Sequence, residues 1–317
     1  MNELDISIVI LNWNDRKHME ICLDSLLNCT KSRTIETIVV DNGSTDGSPE
    51  MVAEKYPYVK LIRNHENIGF PKGNNTGIRA STGKYVFVLN SDIKVLGNCV
   101  DTLIDYLEAN PDIGMIGPKI LNADMSLQSS CRRFPTLWNN FCSASGLAKL
   151  FSRSRFFSGE HMLYFKGDRT IDVDVLVGCF WLVRRKAINA FGLLDEGFFI
   201  YAEDVDWCVR CWNAGWRVVF HPDAQAIHYR GVSTTKKDPV RFALTQQTSV
   251  LRYWKKHHGS FGRFAMSCLI FGHLLMRWLA ALIKSATGSR DPEESKTRIQ
   301  VTKACLRALF GRKMENA

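Results

Sequence analysis

The N-terminal third of this chain repeats one pattern, in which a short apolar run ends in polar residues and leads into a segment with helical spacing. The apolar runs cover residues 6–11, 37–40, 59–62 and 85–89, and helical spacing covers residues 15–27, 48–55, 73–81 and 98–108. Continuous apolar runs are typical of parallel strands that are covered on both faces. Repeated strand–helix units therefore predict an α/β fold built on an open parallel sheet with right-handed crossovers.

The polar residues that end these runs indicate where a functional site would lie. Asn12, Asp41, Asn42 and Asp92 stand at or just beyond the ends of the predicted strands. In open α/β sheets, ligands bind outside the carboxyl ends of the parallel strands. We therefore expect these four side chains to share one edge of the sheet.

The pattern changes beyond residue 120. Residues 121–170 are irregular, basic and aromatic, and we expect a loop at 132–135. The remaining periodic segments predict a strand at 174–184, a helix at 203–214 that Gly215 closes, and short strands at 216–220 and 225–229.

Three acidic residues, Glu203, Asp204 and Asp206, begin the predicted helix at 203–214 and follow an aromatic run. The positive end of a helix stabilises carboxylates, so an ordinary acidic first turn explains the segment as well as a catalytic role does. Buried acids are costly unless they are paired or used. A second acidic site upstream and a histidine downstream favour the functional interpretation.

Asn90-Ser91-Asp92 ends the fourth predicted strand and places a carboxylate at its tip. Hard cations such as Mg²⁺ and Mn²⁺ take oxygen ligands and bridge phosphates, although a strand-ending Asx turn accounts for the same residues. His228 lies on a predicted short strand, where a lone histidine is more often structural. The metal carboxylate upstream supports a ligand role for His228.

Two turn-rich segments follow predicted strands. Residues 41–48 can present the Asp41 carboxylate and backbone amides to a nucleobase, or can simply cap the next helix. Residues 67–77 are rich in Gly and Asn, and their amides together with Lys72 suit a phosphate-bearing ligand. The segment matches neither a P-loop nor a G-x-G-x-x-G fingerprint, so alone it is a weak signal.

Several short motifs follow one another in a fixed order. They are Asn12-Trp13-Asn14, Val39-Val40-Asp41-Asn42-Gly43-Ser44-Thr45-Asp46-Gly47, Asn67-x-Gly69-Phe70, Gly73-x-Asn75-x-Gly77, Leu89-Asn90-Ser91-Asp92, Gly178-Cys179-Phe180, Phe191-Gly192-Leu193-Leu194-Asp195-Glu196, Glu203-Asp204-Val205-Asp206 and His228. This ordered set resembles the family 2 glycosyltransferases over residues 5–232. Within that family it is most similar to rhamnosyltransferase-like enzymes of bacterial surface-polysaccharide assembly.

The resemblance implies a GT-A-type nucleotide-diphospho-sugar transferase fold with a mostly parallel, Rossmann-like sheet. It also implies a metal-dependent, inverting reaction with a nucleotide-sugar donor. By matching position, Asp204 would be the catalytic base, Asp92 and His228 would hold Mg²⁺ or Mn²⁺, and Asp41 would contact the base or ribose. The first acid of the family's Asp-x-Asp motif is Asn90 here, and an amide would bind ribose or metal more weakly than a carboxylate.

Other roles follow from the same resemblance. Glu203, Asp206 and Trp207 would orient the acceptor or support the start of their helix. Further donor contacts are expected from Asn12, Asn67, Gly69, Lys72, Asn74, Asn90 and Ser91. The expected reaction moves L-rhamnose from dTDP-rhamnose to a hydroxyl of a polyprenyl-linked glycan in polysaccharide or O-antigen-type (lipopolysaccharide) biosynthesis. A UDP-hexose or UDP-N-acetylhexosamine donor is the alternative.

The positive charge is concentrated in the C-terminal part. From Arg252 onward there are 13 Lys and Arg against 4 Asp and Glu, and this net charge of +9 equals that of the whole 317-residue chain. We expect a glycosyltransferase domain at 1–235 and a basic helical appendage at 236–317. Residues 264–283 are apolar but interrupted by charge, which favours an interfacial helix on an anionic membrane surface over a span. A core-packing helix with a solvated basic tail is the alternative.

The expected location is the cytoplasm, at the cytoplasmic face of the inner membrane, because the N-terminus shows no signal peptide and the ten cysteines are irregularly spaced. A sugar nucleotidyltransferase would carry a Gly-rich basic loop where this chain has Asn12-Trp13-Asn14-Asp15. A nucleic-acid-binding protein would suit the basic tail, but the near-neutral first 251 residues argue against a nucleic-acid partner. A catalytically silent scaffold stays open, although Asp92, Asp204 and His228 are all present.

Overall fold

The structure is a computed structural model, and it describes residues 4–27, 29, 33–229, 238–286 and 292–310. Its internal contacts divide the chain into two compact units. The sheet unit comprises residues 1–134, 161–199 and 203–232, and the helical unit comprises residues 135–160, 200–202 and 233–317. Residues 135–160 thus share a unit with the C-terminal helices, while a domain boundary after residue 235 stays a prediction.

The strands of the sheet unit form one large sheet and one small one. In chain order they are β1 (Ile6–Asn12), β2 (Ile35–Asp41), β3 (Lys60–Arg63), β4 (Tyr85–Asn90), β5 (Ile93–Leu96), β6 (Ile113–Leu121), β7 (Cys131–Arg132), β8 (Ile171–Asp172), β9 (Val175–Leu176), β10 (Phe180–Arg184) and β11 (Arg217–His228). The large sheet has the order β3-β2-β1-β4-β10-β6-β11-β5, with β8 paired to β11, and β7 pairs with β9.

Parallel strands make up the half of the large sheet that contains β1 to β4. β10 then runs antiparallel between β4 and β6, so the sheet as a whole is mixed. Within the parallel half, Asn12 lies opposite Asp41 and Leu11 lies opposite Asn90. The register therefore brings the polar ends of β1, β2 and β4 to one edge, as the sequence predicts.

Helices cover the sheet and build the second unit. They are α1 (Arg16–Leu26), α2 (Ser48–Lys55), α3 (Phe70–Arg79), α4 (Cys99–Ala109), α5 (Leu137–Ser145), α6 (Leu147–Leu150), α7 (Arg185–Phe191), α8 (Glu203–Asn213), α9 (Pro239–Ala286) and α10 (Pro292–Phe310). α9 is interrupted at Gly259, whose φ of 68° lies in the left-handed region that glycine adopts most easily.

The structure corrects the sequence prediction at several strands. The strand predicted at 174–184 is divided into β9 and β10, and the two short strands predicted at 216–220 and 225–229 are one strand, β11, with a register shift between His221 and Gln225. The sequence pattern does not predict β5 or β6, because β5 is only four residues long and β6 contains two glycines and a proline. The region predicted as irregular, 121–170, contains α5 and α6.

The helical unit is built mainly from α9 and α10. The side-chain amide of Gln247 on α9 donates to the carbonyl oxygen of Cys305 on α10 at 3.1 Å. His273 Nδ1 lies 3.1 Å from the carbonyl oxygen of Ala144, which connects α9 to α5. Among the described residues, one helix (Pro239–Ala280) is long and apolar enough to cross a membrane by length and composition alone.

Asn75 connects α3 to the segment before α8. Its side chain donates to the carbonyl oxygen of Leu194 at 2.9 Å and to Glu196 at 2.9 Å, and its oxygen accepts from the Leu194 amide at 3.1 Å. The residue is fully buried, so these bonds satisfy backbone groups that water cannot reach.

We expect Asn75→Ala to lower the free energy of unfolding by about 3 kcal/mol, because it leaves the buried amide and carbonyl of Leu194 without partners. Urea unfolding followed by tryptophan fluorescence measures this loss. The control is Thr76→Ala, which removes only a hydroxyl bonded within the same helix and should cost less than about 0.5 kcal/mol. Equal losses in the two variants would contradict the assignment.

Candidate active site

A buried network joins the ends of β1 and β2. The side-chain nitrogen of Asn12 donates to Asp41 at 3.0 Å and to the hydroxyls of Ser44 and Ser48 at 3.2 and 2.7 Å. The second carboxylate oxygen of Asp41 accepts from the backbone amide of Ser44 at 2.9 Å. Because Asn12 and Asp41 are both buried, this network fixes the shape of the loop after β2. Whether either residue contacts a nucleotide stays a prediction.

The loop before α3 is bonded to the same edge. Asn42 donates to the side chain of Asn67 at 3.0 Å and to the carbonyl oxygen of Gly69 at 3.3 Å. Gly69 has a φ of 91°, and a Cβ placed there would lie only 2.8 Å from the carbonyl oxygen of Phe199. A glycine is therefore required at this position, on both conformational and steric grounds.

The two polar candidates on α3 have different surroundings. Lys72 is exposed, and its charge acts on Glu196, whose pKa is lowered first by the hydrogen bond from Asn75. Asn74 is fully buried and donates to the carbonyl oxygen of Phe70 in its own helix at 3.0 Å. Lys72 can thus reach a phosphate group in solvent, whereas the Asn74 side chain points into the protein.

Asp92 and His228 come together although they are 136 positions apart in the sequence. Nε2 of His228 lies 3.2 Å from Oδ1 of Asp92. Nδ1 of His228 lies 2.6 Å from the side-chain oxygen of Gln128. The Gln128 amide nitrogen donates to Asn122 at 2.8 Å and to the carbonyl oxygen of His228 at 3.2 Å, which leaves its oxygen to accept from Nδ1–H. Gln128 thereby orients the ring so that Nε2 faces Asp92.

The electrostatics of this pair are unusual. Burial opposes a charge on His228, but hydrogen bonds to Asp92 and Cys179 overcome it and raise the pKa of His228 to about 10. Asp15 lies close enough to Asp92 to feel its negative charge, and burial raises the pKa of Asp15 more than the hydrogen bond to His18 lowers it. Two acids, Asp92 and Asp15, thus lie near each other at this edge, and each is paired with a different imidazole, His228 and His18.

The segment before β10 links this pair to the acids of α8. The carbonyl oxygen of Cys179 accepts from the backbone amide of Asn90 at 3.1 Å, and the Cys179 thiol interacts with His228. A side-chain carbon added to the preceding residue, Gly178, would lie 3.7 Å from Cβ of Asp204. Since adjacent residues are about 3.8 Å apart, the Asp92–His228 pair and Asp204 flank one short stretch of backbone.

The acids of α8 have different environments. Asp204 is largely buried, and its Oδ1 accepts from the amide of Val205 at 2.9 Å. Burial, together with the negative charge of Asp204, raises the pKa of Glu203 well above its usual range, although the positive charge of Arg132 opposes this. Burial and the charge of Asp204 thus disfavour a negative charge on Glu203, while Asp204 is the acid that lies beside Gly178.

Asp206 and Trp207 lie deeper. Asp206 is fully buried and forms an ion pair with Arg210, with Nε 2.9 Å from Oδ2. Trp207 is also fully buried, and its ring nitrogen donates to the carbonyl oxygen of Gly192 at 2.9 Å. Of the two roles that the sequence suggests for this pair, contact with an acceptor or support of the helix, their burial favours support.

Asn90 and Ser91 occupy the turn between β4 and Asp92. Asn90 ends β4 and is only partly buried, whereas Ser91 is buried. Asn90 can therefore present its amide at the sheet edge beside Asp92. Their expected contacts with the donor stay predictions, like those of Asn67 and Gly69.

Sequence reasoning missed Gln128, Arg132, Asp15 and His18. His18 stacks on Tyr229, with ring centroids 5.4 Å apart, and its Nδ1 lies 2.6 Å from Asp15. Gln128 and Arg132 fall in the stretch that the sequence marks as irregular, where no periodicity points to either residue. The only available signal was the Asn12-Trp13-Asn14-Asp15 motif, which carries a further acid just after β1.

A divalent cation fits the donor atoms of Asp92 and His228, provided that it displaces the proton that Asp92 holds on Nε2 of His228. Cis ligands of an octahedral ion at about 2.1 Å lie about 3 Å apart, close to the separation of these atoms. Among the described residues, no group of three or more His, Cys, Asp or Glu side chains forms a metal site. A cation here would therefore take its remaining ligands from water and from substrate phosphates, as Mg²⁺ usually does.

The mixed, mostly parallel sheet with its covering helices is a fold of the GT-A type, as the sequence predicts. A solved mannosyltransferase from Pyrobaculum calidifontis, in complex with GDP-Man and Mn²⁺, matches with a TM-score of 0.55 and 17% identity over 98% of this chain and 87% of that chain. Residues 7–192 match the model of glycosyl transferase family 2, and the chain belongs to this family.

Two curated relatives are rhamnosyltransferases by name. The chain is 29% identical to an N-acetylglucosaminyl-diphospho-decaprenol L-rhamnosyltransferase of Mycobacterium tuberculosis, over 86% of this chain and 91% of the relative. It is 24% identical to the dTDP-rhamnosyl transferase RfbF of Shigella flexneri, over 74% of this chain and 72% of the relative. The prediction of a family 2, rhamnosyltransferase-like glycosyltransferase is confirmed.

We expect Asp206→Asn to lower the free energy of unfolding by about 3 kcal/mol, because it breaks a buried ion pair and leaves Arg210 uncompensated. Thermal unfolding followed by circular dichroism measures the change. The neighbouring control, Asp204→Asn, keeps an oxygen that can accept from the amide of Val205 and should cost less than about 1 kcal/mol. A larger loss from Asp204→Asn than from Asp206→Asn would refute this division of roles.

Proposed function

We propose that this protein transfers L-rhamnose from dTDP-rhamnose, with inversion and with a divalent cation, to a hydroxyl of a polyprenyl-linked glycan. The observation that carries the chemistry is the pair of separate acidic sites, with Asp92–His228 beside Cys179 and Asp204 beside the adjacent Gly178. The names of the M. tuberculosis and S. flexneri relatives support the sugar, the nucleotide and the prenyl-linked acceptor.

In this proposal Asp204 is the general base. Its carboxylate takes the proton of the acceptor hydroxyl while the hydroxyl oxygen attacks the anomeric carbon of the sugar. The bond from that carbon to the diphosphate breaks, and the electron pair leaves with the nucleoside diphosphate. Burial disfavours the charged form of Glu203, and Asp204 is the acid beside Gly178, which favours Asp204 as the acceptor of the proton.

Asp92 and His228 would hold the cation beside the leaving group. When bound, a divalent cation neutralises the charge that develops on the departing diphosphate. Gln128 keeps Nε2 of His228 directed at Asp92, and Asn90 lies next to this position with a neutral amide. Mn²⁺ in the solved mannosyltransferase supports this choice, and Mg²⁺ has the same ligand preferences.

The donor would lie along the edge formed by β1, β2 and β4. Asp41 and Asn12 lie at the ends of β2 and β1, which suits contact with the nucleoside, and the loop of Asn67 and Gly69 flanks them. Lys72 is exposed at the start of α3 and suits the diphosphate. Asn74 would act only through the fold of α3, and Ser91 through the turn that presents Asp92.

The helical unit would attach the enzyme to the cytoplasmic face of the inner membrane. Phe261, Phe264 and Met276 on α9 are strongly exposed, and the segment from Arg252 onward is basic. Exposed apolar residues together with basic ones favour the surface of an anionic leaflet. A polyprenyl-linked acceptor is found only in a membrane, so peripheral attachment would give the enzyme access to it.

The direct test is turnover with a synthetic N-acetylglucosaminyl-diphospho-polyprenol and a panel of dTDP-, UDP- and GDP-sugars, with Mn²⁺, Mg²⁺ or EDTA. We expect release of dTDP and a glycan heavier by one deoxyhexose, only with dTDP-rhamnose and a divalent cation. Turnover of a UDP-hexose or UDP-N-acetylhexosamine instead would establish the alternative donor. Nucleotide binding with no turnover of any donor would favour a silent scaffold.

We expect Asp204→Asn to reduce kcat about a thousandfold, because the amide cannot take the acceptor proton. KM for the donor and the Kd for dTDP should stay unchanged. The matched control is Glu203→Gln, which keeps the size of the side chain, removes the negative charge that burial disfavours, and should retain most of the activity. Full turnover by Asp204→Asn would exclude it as the base.

We expect Gln128→Leu to weaken Mn²⁺ binding by about 10–100-fold, because His228 loses the acceptor that fixes its tautomer and ring orientation. Calorimetric titration of Mn²⁺ in the presence of dTDP measures this without any turnover. Gln128→Glu keeps an acceptor for Nδ1–H but loses the donor to Asn122 and to the carbonyl oxygen of His228, so its affinity for Mn²⁺ should lie between those of Gln128→Leu and the wild type. Unchanged affinity in Gln128→Leu would rule out Gln128 as a positioning residue.

A further inference from the structure

A groove of about 470 Å³ lies between α9 and α10 in the helical unit. Its lining changes along its length from cationic and polar to apolar. The lining residues are Lys255, Ser260, Arg263, Phe264, Ser267, Cys268, Phe271 and Leu309. No predicted site residue and no residue of the sheet edge belongs to it.

The lining of this groove follows from helix geometry. The lining residues of the second half of α9 lie on one face of the helix. Counted from Ser260, Arg263 is three and Phe264 four positions on, and Phe271 follows Phe264 by seven. The face spans about 16 Å from Ser260 to Phe271, at about 1.5 Å per residue. Phe264 keeps 66% of its surface exposed, so this apolar face is not covered by the described part of the chain.

The described lining residues that carry a charge are both cationic. Lys255 and Arg263 are exposed, and none of the described residues forms an ion pair with either of them. Among the described residues that line the groove there is no carboxylate. Two unpaired cations next to an open apolar channel would bind a ligand with an anionic head and a hydrocarbon tail.

We propose that this groove binds the diphosphate and the neighbouring isoprenoid units of the lipid-linked acceptor. The proposal rests on the proposed function for the identity of that acceptor. Lys255 and Arg263 contact the diphosphate, and Phe264, Phe271 and Leu309 pack along the isoprenoid chain. A nucleic acid would use the cations alone, and the apolar part of the groove favours a lipid over it.

The test is calorimetric titration of the full-length protein with farnesyl diphosphate, a soluble isoprenoid diphosphate, and separately with farnesol and inorganic pyrophosphate. We expect farnesyl diphosphate to bind, and to bind at least tenfold more tightly than either fragment. The double variant Lys255→Gln/Arg263→Gln should lose about tenfold or more in affinity for it. Arg241→Gln removes an exposed charge from the same helix outside the groove and should change nothing.

The apolar part of the groove has its own pair of variants. Phe264→Ser should weaken farnesyl diphosphate and leave pyrophosphate unaffected, whereas Leu279→Ser, an exposed leucine outside the groove, should leave both unaffected. Circular dichroism checks that each variant is folded. Absence of farnesyl diphosphate binding, or equal losses in the groove variants and their controls, would overturn the proposal. The proposal would also be overturned if the protein bound phosphatidylglycerol vesicles through Lys255 and Arg263 but did not bind farnesyl diphosphate.

Failure of the groove proposal and failure of the proposed transferase function give different results. If the groove variants lose affinity for farnesyl diphosphate but the wild type transfers no rhamnose, the groove is supported as a binding site and the proposed function is wrong. If the wild type transfers rhamnose and the variants leave KM for the lipid acceptor unchanged, the function stands and the groove is wrong.

Discussion

The antiparallel insertion of β10 between β4 and β6 is the constraint on which the site depends. Phe180 at the start of β10 pairs with Leu89 near the end of β4. The two residues before β10, Gly178 and Cys179, therefore lie at the carboxyl edge of the parallel strands. A parallel β10 would have placed that segment at the opposite edge, away from Asn90 and its neighbours.

The sheet unit stabilises its buried and partly buried acids in several different ways. Asp206 has the guanidinium of Arg210 as its partner, Asp92 has the imidazole of His228, and Glu203 takes up a proton more readily because burial raises its pKa. A buried carboxylate without a cationic partner, a raised pKa or hydrogen-bond donors such as those that Asp41 has would cost several kcal/mol. The acids that begin α8 therefore cannot exchange roles, even though they lie within four positions of one another.

Much of the site was predictable because it depends on local pattern. Asn12, Asp41 and Asn90 lie at the ends of strands that apolar runs predict. Parallel strands bring such ends to one edge of the sheet. Gln128 was not predictable, since nothing near it in sequence suggests that its amide lies against His228, a hundred positions away. Asn75 belongs to one of the family motifs, and the structure shows that its side chain forms hydrogen bonds with the backbone of Leu194.

The sequence by itself determined the α/β class, the family, the strand ends and the basic charge of the C-terminal part, because these follow from the periodicity, identity and order of residues. The tertiary structure alone decided that Asp92 meets His228, that Asp206 and Trp207 are interior, and that α9 and α10 enclose a groove with two cations. Those outcomes depend on strand direction, register and helix packing. Such long-range choices are fixed by the burial of the whole core, and no single segment encodes them.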